Sequence, residues 1–449
     1  MRHRLFLLLG IFLPSLIHPQ DSQTAFSGSL LSQAGAALPN SADKGDFLMG
    51  ITQFQGSMNF SSGESRAYID GSINFDALKA QSASGRADFV SGDSALRLQL
   101  KEAWADWDCG FLAIRIGRQI SAWGQADGLQ VTDILCPKDE TSLIARDYGQ
   151  SRLGIDAARL SLKSQRFLVD AYWIPFFTPS SLPLSDGNPL KKALFPKTVS
   201  AGRQEIPVND ISGENLRLPE QKLYKSEGAV KIATYLPMAD FSLYGFYGYE
   251  REPLLSYQLE LDKSGNPDSL SIYGDYKRML MIGADTAIPV KELLLRLEGA
   301  FFPRRYFSAD FENQVFYGEK TVRQNQLIAL AGLDWMPSGW TITAQYYADC
   351  IFGKSSKLGK LDRKAYIHQA SLSLSKSFIQ ETLKFSMSGV LGLNEFDSMI
   401  SGDMAYSLSD QITLTIGADI FNKGRDDEKG LYGAYEDLSC AYLKAECKW

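Results

Sequence analysis

Between residues 97 and 152 of this 449-residue chain, charged side chains of both signs gather around one connecting segment. Arg97, Lys101, Arg115, Arg118, Arg146 and Arg152 supply cations, Asp127, Asp133, Asp139, Glu140 and Asp147 supply carboxylates, and Trp123 lies among them. Opposed charges across a water-filled passage create a transverse field that orients polar solutes. The same groups can instead pair and pin the connecting segment to a wall. Arg97, Lys101, Arg115, Arg118, Trp123, Asp127, Asp133, Arg146 and Arg152 are therefore the candidate lumen or constriction residues.

Other chemistry finds little support. Of three histidines, His3 and His18 fall in or beside an N-terminal leader, leaving His368 with no Ser or Asp partner assignable by spacing. One histidine leaves little for a transition-metal site. Of the five cysteines, Cys440 and Cys447 share one strand and lie roughly 23 Å apart, too far to bridge. The topology puts Cys136 and Cys350 both toward the outside and permits a bridge between them without requiring one. Asp426, Asp427 and Glu428 with Asp437 read as a solvated acidic run. No enzymatic activity, cofactor or metal is expected.

The elements that must position the charged residues alternate with period two. Ile412, Leu414, Ile416, Ala418 and Ile420 oppose Thr413, Thr415, Gly417 and Asp419; Leu96, Leu98 and Leu100 oppose Arg97, Gln99 and Lys101. Arg115 opposes Leu112, Ile114 and Ile116, so it points away from the apolar face. The pattern predicts strands at 24–37, 47–60, 65–77, 93–106, 110–118, 151–163, 165–175, 225–236, 241–250, 271–287, 291–303, 324–336, 340–350, 365–377, 380–393, 401–409, 411–421 and 437–449. Every second connection is short, and the others are mostly long and polar. That phase predicts an all-β fold, a transmembrane antiparallel up-and-down β-barrel of about 18 strands (16–18), with short periplasmic turns and long extracellular loops. Eighteen strands close at a backbone diameter of roughly 35 Å, more than side chains can fill. Long loops must then narrow the lumen, with Gln119–Gln150 and Pro179–Tyr224 as candidates.

Residues 1–20 read as a signal peptide: Arg2, His3 and Arg4 precede the apolar run Leu5–Leu13, too short to span a bilayer. Residues 21–449 form one barrel domain. The final strand ends on Trp449, a terminal aromatic residue resembling the signal read by the barrel-assembly machinery. A net charge of -6 argues against a phosphate backbone as main partner, so no nucleic-acid role is expected.

The segment Leu98–Asp133 resembles a stretch of an uncharacterised family of Gram-negative outer-membrane porin-like β-barrels, in which a Glu-Ala-aromatic strand turns into one ending Gly-Arg-Gln, followed by Trp-Gly. The residues carrying it are Glu102, Ala103, Trp104, Gly117, Arg118, Gln119, Trp123, Gly124 and Asp127, with Asp133 and Pro137 beyond. The resemblance implies a porin-like barrel in the outer membrane of a diderm bacterium, with membrane lipid and small-molecule solutes as partners. The expected function is a channel for small polar or amphipathic solutes through a loop-constricted lumen. Two alternatives stay open: a carrier of hydrophobic solutes using loop apolars such as Leu182, Leu184, Leu190 and Phe195, and a surface adhesin or structural barrel.

Overall fold

A computed structural model describes residues 22–38, 45–81, 94–142, 148–195, 197–201, 204–209, 211–425 and 430–449. The expected leader, Arg146, Asp147 and the acidic run at 426–428 lie outside these. The strands, in chain order, are β1 (Ser22–Ala37), β2 (Phe47–Ser62), β3 (Ser65–Asp76), β4 (Leu96–Asp108), β5 (Leu112–Gln119), β6 (Ile155–Lys163), β7 (Phe167–Ile174), β8 (Thr198–Ala201), β9 (Gln204–Pro207), β10 (Leu216–Arg217), β11 (Glu227–Leu236) and β12 (Ala239–Tyr249). They continue with β13 (Leu254–Leu261), β14 (Pro267–Asp275), β15 (Arg278–Val290), β16 (Leu293–Ser308), β17 (Thr321–Trp335), β18 (Trp340–Phe352), β19 (Tyr366–Phe378), β20 (Leu383–Gly392), β21 (Ser398–Ser407), β22 (Ile412–Asn422) and β23 (Cys440–Lys448).

Eighteen of these form one antiparallel sheet. Sequence neighbours pair throughout, with β7 joining β11 and β12 joining β15 across inserted loop strands. The sheet closes where Ser29–Ala37 of β1 pairs with Cys440–Lys448 of β23. Closure leaves no sheet edge unpaired. Ser22 and Trp449 both lie at the short-turn end, because Ser22 pairs with Ser62 beside the first turn and Trp449 exchanges backbone hydrogen bonds with Gly28. The connections at that end, such as 63–64, 109–111, 164–166 and 291–292, are two to four residues long; those at the other end include 120–154, 175–226 and 250–277.

Antiparallel partners share a face, so register and exposure sort the two surfaces. Outward rows are apolar: Leu30 and Phe54 stand opposite each other, as do Ile400 and Ile420. Inward rows are polar over β19–β22, where Ser373 meets Ser388 and Ser401 donates to Asp419 at 2.5 Å. Aromatic rings gather outward near both ends. Trp340 meets Phe378 edge-on and Trp449 lies 5.7 Å from Phe54 at the short-turn end, while Tyr346 stacks on His368 nearer the long-loop end.

One predicted strand differs. The run 271–287 is two elements, since its first residues form the loop hairpin β13–β14 and the wall strand starts at Arg278. Tyr276 and Lys277 separate them; the alternation runs on through Ser269–Tyr273 because that hairpin also has two unlike faces. Cys136 and Cys350 are both free. Cys136 is buried inside the barrel, whereas the register puts Cys350 opposite Tyr366 on the outward face.

Candidate lumen constriction

After β5 the chain turns into the barrel. Gly117 has φ 127°, and a Cβ there would meet the Ala103 carbonyl oxygen at 2.3 Å, so only glycine fits against β4. The Ile120 N–H then donates to Glu102 Oε1 at 2.8 Å, holding the first residue off the strand against the inner wall.

From there residues 120–142 cross the lumen. On the far wall Glu298 of β16 receives the segment: the N–H groups of Gln125 and Ala126 donate to Oε2 at 2.7 and 2.8 Å, and the Thr132 N–H and hydroxyl donate to Oε1 at 2.8 and 2.6 Å. Hydrogen bonds to an ionised carboxylate are the strong class. Gly124 makes the wrap possible, with φ 79° and an absent Cβ that would lie 2.3 Å from Glu298 Oε1. Trp123 fills the space beside it, its ring 5.0 Å from Tyr244 and 6.1 Å from Tyr172.

The wall under this segment is apolar. Phe246, Met281, Phe302, Ile328 and Leu330 face inward and pack with Val131, Ile134 and Leu135, all buried. This patch breaks the polar-inside pattern, and sequence reasoning missed it because an inward apolar residue cannot be told from an outward one without the register.

Charged pairs fix the near side. Arg97 binds Asp139 at 2.7 Å, Arg152 Nε binds Asp133 Oδ2 at 2.8 Å, and Asp133 Oδ1 accepts the Trp123 N–H at 3.1 Å. Arg251, paired with Glu227 at 2.9 Å, donates to the Leu135 carbonyl, and on the far wall Arg296 of β16 donates to that of Gln125 at 2.7 Å. The Gln345 amide, oriented with its oxygen toward the Asp127 N–H, brackets the Asp127 backbone at 3.0 and 2.8 Å. Asp127 itself is exposed at the inner tip. Among the residues singled out from sequence, Arg97, Asp133 and Arg152 thus hold the segment in place, and Trp123 packs it.

Arg115 belongs to the wall. Its guanidinium lies 3.6 Å over the Trp104 ring and binds Asp106 at 3.0 Å, and Asp106 is shared with Arg66 at 3.0 Å. Arg159 of β6 stands directly opposite Arg115, and its Nε has no hydrogen-bond partner among the described residues. Lys101 sits by the β4 bulge, close enough to act electrostatically on Asp70. Arg118 departs from the expectation: it pairs with Asp156 at 2.8 Å, and since Gln119 and Ile155 beside them face the lumen, this pair faces outward. The alternation already carries that parity, since Arg118 follows Leu112, Ile114 and Ile116 at steps of two and the β5 register is unbroken.

A second segment, 175–195, caps the mouth. The Ser181 N–H donates to the Lys138 carbonyl at 2.8 Å, Asn188 Nδ2 donates to the Thr141 carbonyl at 2.9 Å, and Leu190 packs against Met49, Leu438 and Tyr442 on the opposite wall. Leu190 is thereby buried rather than lining an open pocket. Between the crossing segment and the wall lies a cavity of about 350 Å³ bordered by Gln130, Glu250, Arg305, Asp349, Arg363 and Tyr432. Nearby, burial pushes the Glu140 carboxyl well above the usual carboxylate range, and the adjoining Glu252 carboxylate adds to the effect. His368 is remote from all of this, on the outward face with its Nδ1 2.8 Å from the Tyr346 hydroxyl.

No family model matches this sequence, and no curated protein matches it. Solved structures do. The chain is similar to Pseudomonas aeruginosa OccK8 (OprE), with TM-score 0.54 and 8% identity over 96% of this chain and 98% of that one. It is also similar to Acinetobacter baumannii OccAB3 (TM-score 0.51, 10% identity, 96% and 99% covered) and to P. aeruginosa OccK2 (OpdF), solved in complex with glucuronate (0.50, 9%, 96% and 97%). At such identities the shared property is the fold, a closed eighteen-stranded barrel.

Proposed function

We propose that this protein is an outer-membrane channel through which small polar or amphipathic solutes diffuse past a constriction built by residues 120–142. The observation that carries the reading is that this segment lies inside a closed eighteen-stranded barrel and is tied to both walls, at Arg97 and Arg152 on one side and Glu298 on the other. A barrel of this circumference holds water unless something fills it, and a pinned segment sets its width. Residues 1–20 serve as the export signal, the outward apolar rows face lipid, and the strand ending at Trp449 presents the assembly signal. Nothing in the site calls for catalysis.

The wall beside the constriction suggests which solutes pass. Arg66, Arg115 and Arg159 stand on β3, β5 and β6 with Asp106 shared between the first two. An excess of guanidinium groups favours anions and small carboxylates. Glucuronate, bound by one barrel of similar fold, is a molecule of that class. Liposome swelling tests the reading: vesicles containing the refolded protein should swell in small sugars and organic anions faster than empty vesicles, and equal rates would refute it.

A further inference from the structure

The cavity of about 350 Å³ against the crossing segment lies toward the long-loop end. Gln326, Asp349 and Gln369 border it from that end of β17, β18 and β19, and Glu250, Arg363 and Tyr432 reach it from the long connections. Two unlike surfaces meet there. Val131, Ile134, Met279, Phe302 and Ile328 make one side apolar, and charged and amide groups make the other.

The charges on the polar side are matched among themselves. Arg305 holds both oxygens of Glu250, at 3.0 and 3.1 Å, Arg363 binds Asp349 at 2.6 Å, and Arg251 binds Glu227 at 2.9 Å. Lys138 stands close enough to Glu252 for the two charges to act on each other. Glu140, beside Glu252, keeps its proton, with its carboxyl raised to about 9 by burial and by that neighbour, and so adds no charge. An entering ion would unbalance one of these pairs, which is costly away from bulk water. What the pairs leave over is single hydrogen-bonding groups. Arg251, more than nine-tenths buried, has no partner for its Nη2 among the described residues. The Tyr347 hydroxyl makes no hydrogen bond among them either. Gln369, opposite Tyr347 in register, accepts from the Tyr432 hydroxyl at 3.2 Å and keeps its own amide donor.

Resting on the channel reading above, we propose that this cavity binds an uncharged, hydroxyl-rich solute, a neutral mono- or disaccharide, ahead of the constriction. A sugar ring has a C–H face for Met279, Phe302 and Ile328, and a rim of hydroxyls that donate and accept for Arg251, Tyr347 and Gln369. The space, near the lower end of the roughly 300–1,000 Å³ of ligand pockets, suits one or two rings. A zwitterion needs one free cation and one free anion, and the pairing provides neither. The arginines of β3, β5 and β6, on another stretch of wall, act on charge; this site acts on hydroxyl pattern.

The test uses maltose as probe, with benzoate and proline as anionic and zwitterionic competitors. Binding is read by saturation-transfer NMR of the detergent-solubilised full-length barrel, and single-channel current is recorded for the same preparation. Wild type should bind maltose, and neither benzoate nor proline at equal concentration should displace it. Y347F/Q369A removes two hydrogen-bonding groups and leaves every charge pair in place, so it should weaken maltose binding roughly tenfold. M279W fills the cavity from its apolar side and should abolish binding, with heat-modifiable mobility reporting that each variant assembles. Equal maltose binding by wild type and Y347F/Q369A, or displacement of maltose by benzoate or proline, overturns the site. Channel steps from a wild type that binds no maltose overturn the site alone, and bound maltose without channel steps counts against the channel reading alone.

Discussion

Thr132 donates both its backbone N–H, at 2.8 Å, and its hydroxyl, at 2.6 Å, to the same oxygen of Glu298. Thr132 belongs to the segment that leaves the wall after Gln119 and Glu298 stands across the lumen on β16, so this contact turns an open barrel into a narrowed one. Glu298 also faces Asp285 directly in register, and both carboxylates are buried. Two like charges opposite each other disfavour that geometry unless donors converge on them. Here the Tyr244 hydroxyl serves Asp285 and the crossing segment serves Glu298.

Replacing Glu298 by Ala should therefore release the segment rather than unfold the barrel. Three backbone N–H groups lose their acceptor, a loss of about 3–5 kcal/mol of docking free energy. Limited proteolysis should cleave between 120 and 142 in the variant and not in wild type, while the heat-stable barrel band persists.

Arg115 and Arg159 set the sign of the wall. R115Q/R159Q should lower the anion-to-cation permeability ratio roughly fivefold at low salt, with less effect at high salt where the charges are screened. Reversal potentials across a salt gradient report it, and an unchanged ratio would remove these residues from solute selection.

Glu140 makes the docking of the crossing segment depend on pH. Burial and then Glu252 raise its carboxyl above the ordinary value of 4.5. A group that binds its proton more tightly in the docked state stabilises that state fully below the unfolded value, and the contribution is lost as pH rises from there through the raised one. Current noise and protease sensitivity should accordingly increase as pH rises above the ordinary carboxylate range. E140Q should flatten the dependence, because the amide needs no proton to remain neutral.

Trp449 covers Gly28 so closely that a Cβ on Gly28 would lie 2.5 Å from its ring. Gly28→Val should clash where Gly28→Ala strains, and W449A should leave Phe54 without its ring partner. Heat-modifiable mobility of the membrane fraction should show less assembled barrel for Gly28→Val and W449A than for wild type, in proportion to the lost contact.

Much of this was readable from the chain. Alternation such as Ile412–Ile420 against Thr413–Asp419 fixes both strand and face, because a half-buried strand has no other period, and the short and long connections fix the topology. Arg97, Asp133 and Arg152 were recognisable as a charged group around one segment. Their partners were only partly so: Arg97 with Asp139 spans 42 residues and can be guessed within a loop, whereas Thr132 with Glu298 spans 166 and depends on how far the segment reaches. Arg296 and Glu298 share a polar parity on β16, a visible sign of inward charge with no indication of its partner. Arg118 shares the parity of Leu112, Ile114 and Ile116, so the alternation itself places it outward, and grouping it with the lumen charges overlooked that parity.

Single-channel current through the refolded protein in a planar bilayer, wild type against E298A, tests the central claim most directly. The account predicts discrete steps for wild type and larger, noisier steps for E298A, because the segment that narrows the lumen has lost its anchor on β16. Steps of the same size in both proteins, or none in either, would contradict it.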